Sequence, residues 1–237
     1  MDLVRFRVLA CDYDGTIATD GVVAPATLTA LERARASGRR LLLVTGRIGA
    51  QLEASFPLWG LFDRIVLENG AVLVDPSLGV ERLLCEPVSD DLVAELHRRG
   101  VEPLAVGRCA CAAGIRHRDA IRAAVRGLDL RLDTGVNRGS VVVLPPGISK
   151  ASGTQAALRA LGETASACVA VGDAENDLPM LAIAGCGVAV ADALDQTKAA
   201  ADLVTSGPNG AGVVELIHHL LADDLEKVLA GTGAARL

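Results

Sequence analysis

Aromatic residues are nearly absent: the 237-residue chain has one Trp, one Tyr and three Phe. Since 51% of the residues are apolar, the core must be built from Ala, Val and Leu, which suits helices laid on a sheet. No block of Lys or Arg occurs, and the net charge is −6. A basic surface that tracks the phosphates of nucleic acid is thereby excluded, and an anionic ligand would need a small local site. The six cysteines, Cys11, Cys85, Cys109, Cys111, Cys168 and Cys186, form no CxxC pair. Free, mostly buried thiols in a reducing cytosol are expected. Cys109-Ala-Cys111 lacks a second Cys or His pair to complete a tetrahedral metal set. A long apolar run is missing too. The most apolar later stretch, 178–191, is broken by Pro179, Gly185 and Gly187 and falls short of the ~20 residues that span a bilayer. The opening "MDLVRFRVLA" carries Asp2, Arg5 and Arg7 and does not read as a signal peptide. A cytoplasmic protein, monomer or homodimer, with no membrane or nucleic-acid partner is expected.

What is present alternates. "VRFRVLAC", "RRLLLVT" and "RIVLEN" read as strands, and "PATLTALERARASG" and "RIGAQLEASF" read as helices between them. The strands are continuous apolar runs, so both faces expect burial, as in a parallel sheet covered by helices. This order predicts a doubly wound, Rossmann-like α/β core. The rhythm changes after "NGAVLVDPSLG". Val72–Val74 reads as a strand that pairs with "VERLLCE" or forms a small hairpin. "SDDLVAELHRRG" is a helix capped by Ser89 and ended by Gly100. The strands "EPLAVG" and "CACAAGIRH", the helix "RDAIRAAVRG" and the strands "LDLRLDTG" and "GSVVVLPPG" follow. The α-β-β-α-β-β order predicts a small antiparallel α+β domain, placed at 77–146 as an insertion between core segments 1–76 and 147–237. The parallel pattern resumes with "SKASGTQAALRALG", "ACVAVGD", "NDLPMLAIAG", "CGVAVA" and "ADLVT". A last helix covers 212–221, then a helical extension with a frayed "GTGAARL" end.

Ligands of a parallel α/β sheet bind beyond the carboxyl ends of the strands, so polar residues there are the candidates. The first strand ends in Asp12-Tyr13-Asp14-Gly15-Thr16, the second in Thr45-Gly46-Arg47. Lys150 opens a helix, and Asp173 ends a strand with Asn176 and Asp177 on the next turn. Asp12, Asp14 and Asp173 would repel one another without a cation, and Mg²⁺ prefers all-oxygen sites completed by water and phosphate. Lys150 adds a second positive charge for phosphate oxygens, Thr45 a hydroxyl, and Gly15 and Gly46 a close backbone approach. Such a set neutralises and orients a phosphoryl group. A carboxylate can attack phosphorus, and Asp14, two residues on, can handle the proton. Arg47 is placed on the surface. Asn69, at the exit of the third strand, is a candidate substrate contact, as are Arg116 and Arg138 in the insertion. The four histidines are read as surface or packing residues.

The segments DxDGT (Asp12–Thr16), "VTGR", Lys150 and "GDAENDLP" resemble, in order, the haloacid dehalogenase superfamily in its phosphatase form. "LENGA", "PPGISKASG" and "GVAVADALDQTKAAADLVT" look like its Cof-type branch, which carries an inserted class IIB cap. The resemblance implies that Asp12 is the nucleophile and Asp14 the general acid/base. It implies Mg²⁺ held by Asp12, the Asp14 backbone carbonyl and Asp173, with help from Asp177, and a phosphate held by Thr45, Lys150 and Asn176. The expected activity is Mg²⁺-dependent hydrolysis of a small phosphorylated metabolite, a sugar phosphate or phosphoglycolate, through an aspartyl-phosphate. A phosphosugar mutase and a non-catalytic phosphate-binding module are the alternatives.

Overall fold

The structure, a computed structural model, describes residues 4–137 and 139–230 and the backbone of 235–236. β1 (Val8–Asp12) leads into a small hairpin, β2 (Ala18–Thr19) and β3 (Val22–Val23), and then α1 (Pro25–Ala36), β4 (Arg40–Val44), α2 (Gly49–Ser55), β5 (Arg64–Leu67), β6 (Val72–Asp75) and β7 (Val80–Leu83). The inserted unit is α3 (Asp90–Arg98), β8 (Leu104–Val106), β9 (Cys111–Gly114), α4 (Arg118–Gly127), β10 (Asp133–Asn137) and β11 (Ser140–Leu144). The chain returns with α5 (Lys150–Leu161), β12 (Cys168–Gly172), α6 (Leu178–Ile183), β13 (Cys186–Ala189), α7 (Asp195–Ala200), β14 (Leu203–Val204), α8 (Asn209–Asp223), α9 (Glu226–Ala230) and β15 (Ala235–Arg236).

Among the described residues, nine strands form one sheet in the order β15-β14-β13-β12-β1-β4-β5-β6-β7. It is parallel from β15 to β5 and antiparallel from β5 to β7. The continuous apolar strands are buried on both faces, as their pattern requires. Leu9, Cys11, Leu41 and Leu43 pack in one cluster with α1 and α8. Val8, Ala10, Leu42 and Val44 pack on the other side with α5 and α6. The doubly wound α/β core with an α-β-β-α-β-β insertion is therefore as the sequence reads. All six cysteines are free, and five are buried. No helix among the described residues is long and apolar enough to cross a membrane.

Two details differ from the sequence reading. β7 pairs antiparallel with β6, one of the two outcomes expected for Val72–Val74, but it does so within the large sheet, whereas the boundary at 76/77 assigns its residues to the insertion. The cause is local: Asp75 Oδ1 accepts hydrogen bonds from Ser77 N at 3.0 Å and Leu78 N at 3.3 Å, an Asx turn that sends the chain straight back. The elements of the second, four-stranded sheet and its helices instead run from Asp90 to Leu144. The β2–β3 hairpin was missed, although its Asp20-Gly21 turn carries the positive φ values, 51° and 79°, of a tight two-residue reversal. Of the "GTGAARL" end expected to fray, 231–234 and 237 lie outside the described residues, and the backbone of 235–236 pairs with β14.

Candidate active site

The chain winds outward from β1 in one direction through β4 and β5, then in the other through β12, β13 and β14. This reversal leaves a crevice at the carboxyl end of β1. Asp12 closes β1 there, Thr45–Arg47 follow β4, and Asp173–Asp177 follow β12. Lys150 enters as the first residue of α5, whose start is held by reciprocal hydrogen bonds between Ser149 and Ser152.

Lys150 Nζ donates to Asp12 Oδ1 at 2.5 Å and to Asp177 Oδ1 at 2.6 Å, and all three residues are buried. Thr16 Oγ1 lies 3.2 Å from both Asp12 Oδ2 and Asp173 Oδ1, so one hydroxyl bridges two carboxylates. The other oxygen of Asp177 accepts from Asp173 N and Ala174 N, each at 3.0 Å. Carboxylate oxygens of Asp12, Asp173 and Asp177 lie within 4.8 Å of one another. Burial, then the charge of Asp177, holds the Asp12 carboxyl well above the usual carboxylate range, against the pull of Lys150. Burial would lower the Lys150 ammonium, but Asp12 and Asp177 outweigh it and hold it above its ordinary value. Three buried carboxylates thus face one ammonium, and an all-oxygen donor set with surplus negative charge fits a hard divalent cation.

Asp14 has a different partner. Its two oxygens take Arg47 Nη2 at 2.6 Å and Nε at 2.8 Å, a bidentate pair. Arg47 is placed by Ser55 Oγ, 2.7 Å from its Nη1, and stacks on the Tyr13 ring with Cζ 4.7 Å from the centroid. Arg47 therefore belongs to the site and not to the outer surface. The two aspartates do not depend on a single metal ion for relief: Lys150 neutralises one and Arg47 the other. "VTGR" was the available signal, since a residue two beyond a strand-end Thr reaches the same crevice.

A cavity of roughly 220 Å³ opens above these groups. Its floor and walls include Asp12, Asp14, Gly46, Arg47, Asn69, Lys150, Asp173 and Asn176, with Gln51 at one side. Its roof is the inserted sheet. Cys111, Ala113, Val141 and Val143 pack with α3 and α4, so the alternation of a strand turns Ala112, Ser140 and Val142 to the cavity, beside Asn137. Asn176 Nδ2 donates to Asn69 Oδ1 at 2.9 Å, which brings those two expected contacts together. Thr45 is fully buried, and its Oγ1 accepts from Arg47 N at 3.1 Å. Arg116 does not line the cavity: its guanidinium donates to the Glu102 carbonyl at 2.6 Å. Arg138 lies outside the described residues. Gln51, Asn137 and Ser140 were missed, since isolated small polar residues carry no pattern; Thr16 was read as the end of the DxDGT segment, but not as a bridge between Asp12 and Asp173. A larger groove of roughly 590 Å³ runs between α1 and Pro57–Leu61, but it lacks converging carboxylates.

A family model of haloacid dehalogenase-like hydrolases matches residues 9–100 and 133–217. The chain belongs to this family. Among curated proteins, a phosphoglycolate phosphatase of Methanothermobacter thermautotrophicus is 31% identical over 226 residues, covering 91% of this chain and 99% of that protein. The phosphoglycolate phosphatase of Archaeoglobus fulgidus is 32% identical over 224 residues, with 90% and 96% covered. Among solved structures, a haloacid dehalogenase-like hydrolase of Bacteroides thetaiotaomicron superposes with a TM-score of 0.76 at 20% identity, covering 91% and 99%. A sugar phosphatase of subclass IIB superposes with a TM-score of 0.74 at 21% identity, covering 90% and 98%. These likenesses establish the same fold for this haloacid dehalogenase-like hydrolase, cap included.

Proposed function

We propose that the chain is a Mg²⁺-dependent phosphatase that hydrolyses a small phosphorylated metabolite, phosphoglycolate or a compound of similar size, through an aspartyl-phosphate. The observation that carries this reading is the buried Asp12–Lys150 pair at the floor of a small roofed cavity, with Asp173 beside it. The names of the full-length relatives support phosphoglycolate.

In this reading an Asp12 carboxylate oxygen attacks phosphorus in line with the leaving oxygen. Lys150, with two of its three N–H donors engaged by Asp12 and Asp177, keeps one for a phosphate oxygen. The Thr45 hydroxyl, the backbone at Gly46 and the Asn176 amide hold the others. To act as the general acid, Asp14 must free an oxygen from the Arg47 fork and take up a proton, which it gives to the leaving oxygen; as a carboxylate again it takes a proton from the water that opens the aspartyl-phosphate. Arg47 keeps Asp14 at the cavity rim. Asp12, Asp173 and the Asp14 backbone carbonyl would hold Mg²⁺, with Asp177 supporting from behind through Lys150 and the Asp173 turn. The ion would neutralise phosphate charge and orient the group. The cap face of Ala112, Asn137, Ser140 and Val142 would meet the leaving group and exclude water.

The test is phosphate release from phosphoglycolate and a panel of sugar phosphates, with Mg²⁺ and with EDTA. Release that needs a divalent ion and vanishes in Asp12→Asn is expected. Isomer formation without phosphate release would replace the hydrolase by a mutase.

A further inference from the structure

The turn that joins β5 to β6, Glu68-Asn69-Gly70, does more than reverse the chain. Glu68 and Asn69 both adopt positive φ, 53° and 55°, an uncommon conformation for two successive residues with side chains. Such conformations persist where the surroundings over-determine them. Glu68 N donates to the Arg47 carbonyl and Asn69 N to the Thr45 carbonyl, each at 3.0 Å. The Glu68 side chain is 1% exposed and leaves the core altogether. Its Oε1 accepts from Arg108 N at 2.8 Å, and its Oε2 accepts from Cys109 N at 2.9 Å and Ala110 N at 3.0 Å. Three successive backbone donors of the cap thus close on one core carboxylate, in the manner of an anion nest. Gly107 makes the room: a Cβ there would come within 2.4 Å of the Glu68 carboxyl carbon.

We propose that Glu68 is a positioning residue for substrate, a latch that sets the cap sheet over the cavity. This rests on the phosphatase reading of the same site. The gripped loop runs directly into β9 (Cys111–Gly114), so Ala112 in the roof is two residues beyond the last gripped amide. β9 in turn sets β11, with Val142 paired to Ala112 and Ser140 paired to Gly114. The chemical groups Asp12, Asp14 and Lys150 stand on the core and do not depend on this contact. Loss of the latch therefore loosens the roof against the leaving group and leaves the reacting groups in place, which weakens substrate binding more than turnover.

The variants are Glu68→Gln, which turns an amide N–H₂ toward donor N–H groups, and Gly107→Ala, which displaces the carboxylate from the cap side at a residue with no need of positive φ. With phosphoglycolate as substrate, each should raise KM tenfold or more and change kcat less than threefold. The double variant should be no worse than the worse single one, because both break one contact. Hydrogen exchange on the full chain supplies a readout independent of activity. The amides of Arg108, Cys109 and Ala110 should be protected in the wild type and exchange at least tenfold faster in both variants, while those of β4 (Arg40–Val44) stay unchanged. An unchanged KM with faster exchange, or a fall in kcat with no rise in KM, would overturn the positioning role. Unchanged exchange at 108–110 would overturn the latch itself. If the wild type releases no phosphate from any monoester, the phosphatase reading fails, and exchange alone decides whether the latch exists.

Discussion

Asp12 and Asp14 stand two residues apart in one short turn and face different cations. Asp12 is buried against Lys150 with Asp173 and Asp177 near by, whereas the side chain of Asp14 is half-exposed on Arg47. The Asp12 charge is therefore the strained one. Asp12→Asn should lower turnover by more than about a thousandfold. In EDTA it should also make the protein more stable by roughly 0.5–2 kcal/mol, as removal of an active-site charge commonly does. Unfolding in urea checks this. The raised Asp12 pKa gives the sign of its pH dependence. Its contribution to folding is intact below the ordinary carboxylate range and is lost as pH rises through the raised value. The variant's advantage should accordingly shrink in acid. Arg47→Lys should lower turnover with little effect on stability. A lysine cannot span both oxygens of Asp14, so kcat should fall by roughly 10- to 100-fold. Stability should change by less than about 1 kcal/mol, because the pair is partly exposed. Parallel rate and unfolding measurements separate the two effects.

The elements meet most tightly where the Glu68–Gly70 turn touches α5. A Cβ on Gly70, whose φ is 110°, would fall 1.9 Å from the Ser149 carbonyl oxygen, and one on Gly153 would fall 2.6 Å from Gly70 Cα. Bare backbone on both sides brings the start of α5, and with it Lys150, down to the crevice. Gly70→Ala should cost about 3 kcal/mol or more, from overpacking added to the left-handed backbone. Thermal unfolding should show the loss, and any folded fraction should turn over more slowly because Lys150 is displaced. The same economy explains the cap. One strand pattern serves two surfaces, with alternate residues of β9 and β11 given to the cap's own core and to the cavity roof.

Taken whole, the molecule holds a surplus of buried negative charge at the junction of its core and cap. A divalent cation that binds only the folded chain should stabilise it, by about 2.7 kcal/mol at a hundred times its dissociation constant. A rise in melting temperature with Mg²⁺ in the wild type, abolished in Asp173→Asn, checks this. No shift in the wild type would remove the ion from the proposal. The fold and the floor of the site were legible in advance because they rest on local order. Apolar runs of fixed length imply buried parallel strands, and a carboxylate or lysine at a strand or helix end has few places to point. Asp12, Asp14, Lys150 and Asp173 converge for that reason. The pairings of Arg47, Thr16 and Glu68 were not legible, although "VTGR" and DxDGT mark the first two positions, because each acts through a partner distant in the chain or through a backbone conformation that no periodicity encodes. Glu68 ends an apolar strand much as Asp12 does, yet its three partners lie 40–42 residues further on. Arg116 shows the converse: a cationic residue in a fitting place along the chain is held by the Glu102 carbonyl, away from the cavity. Hydrophobic pattern and chain order suffice for the sheet and its crevice, since burial acts on each segment separately. The pairing of charges and the seating of the cap depend on distances across the fold, which exist only once the chain has closed on itself.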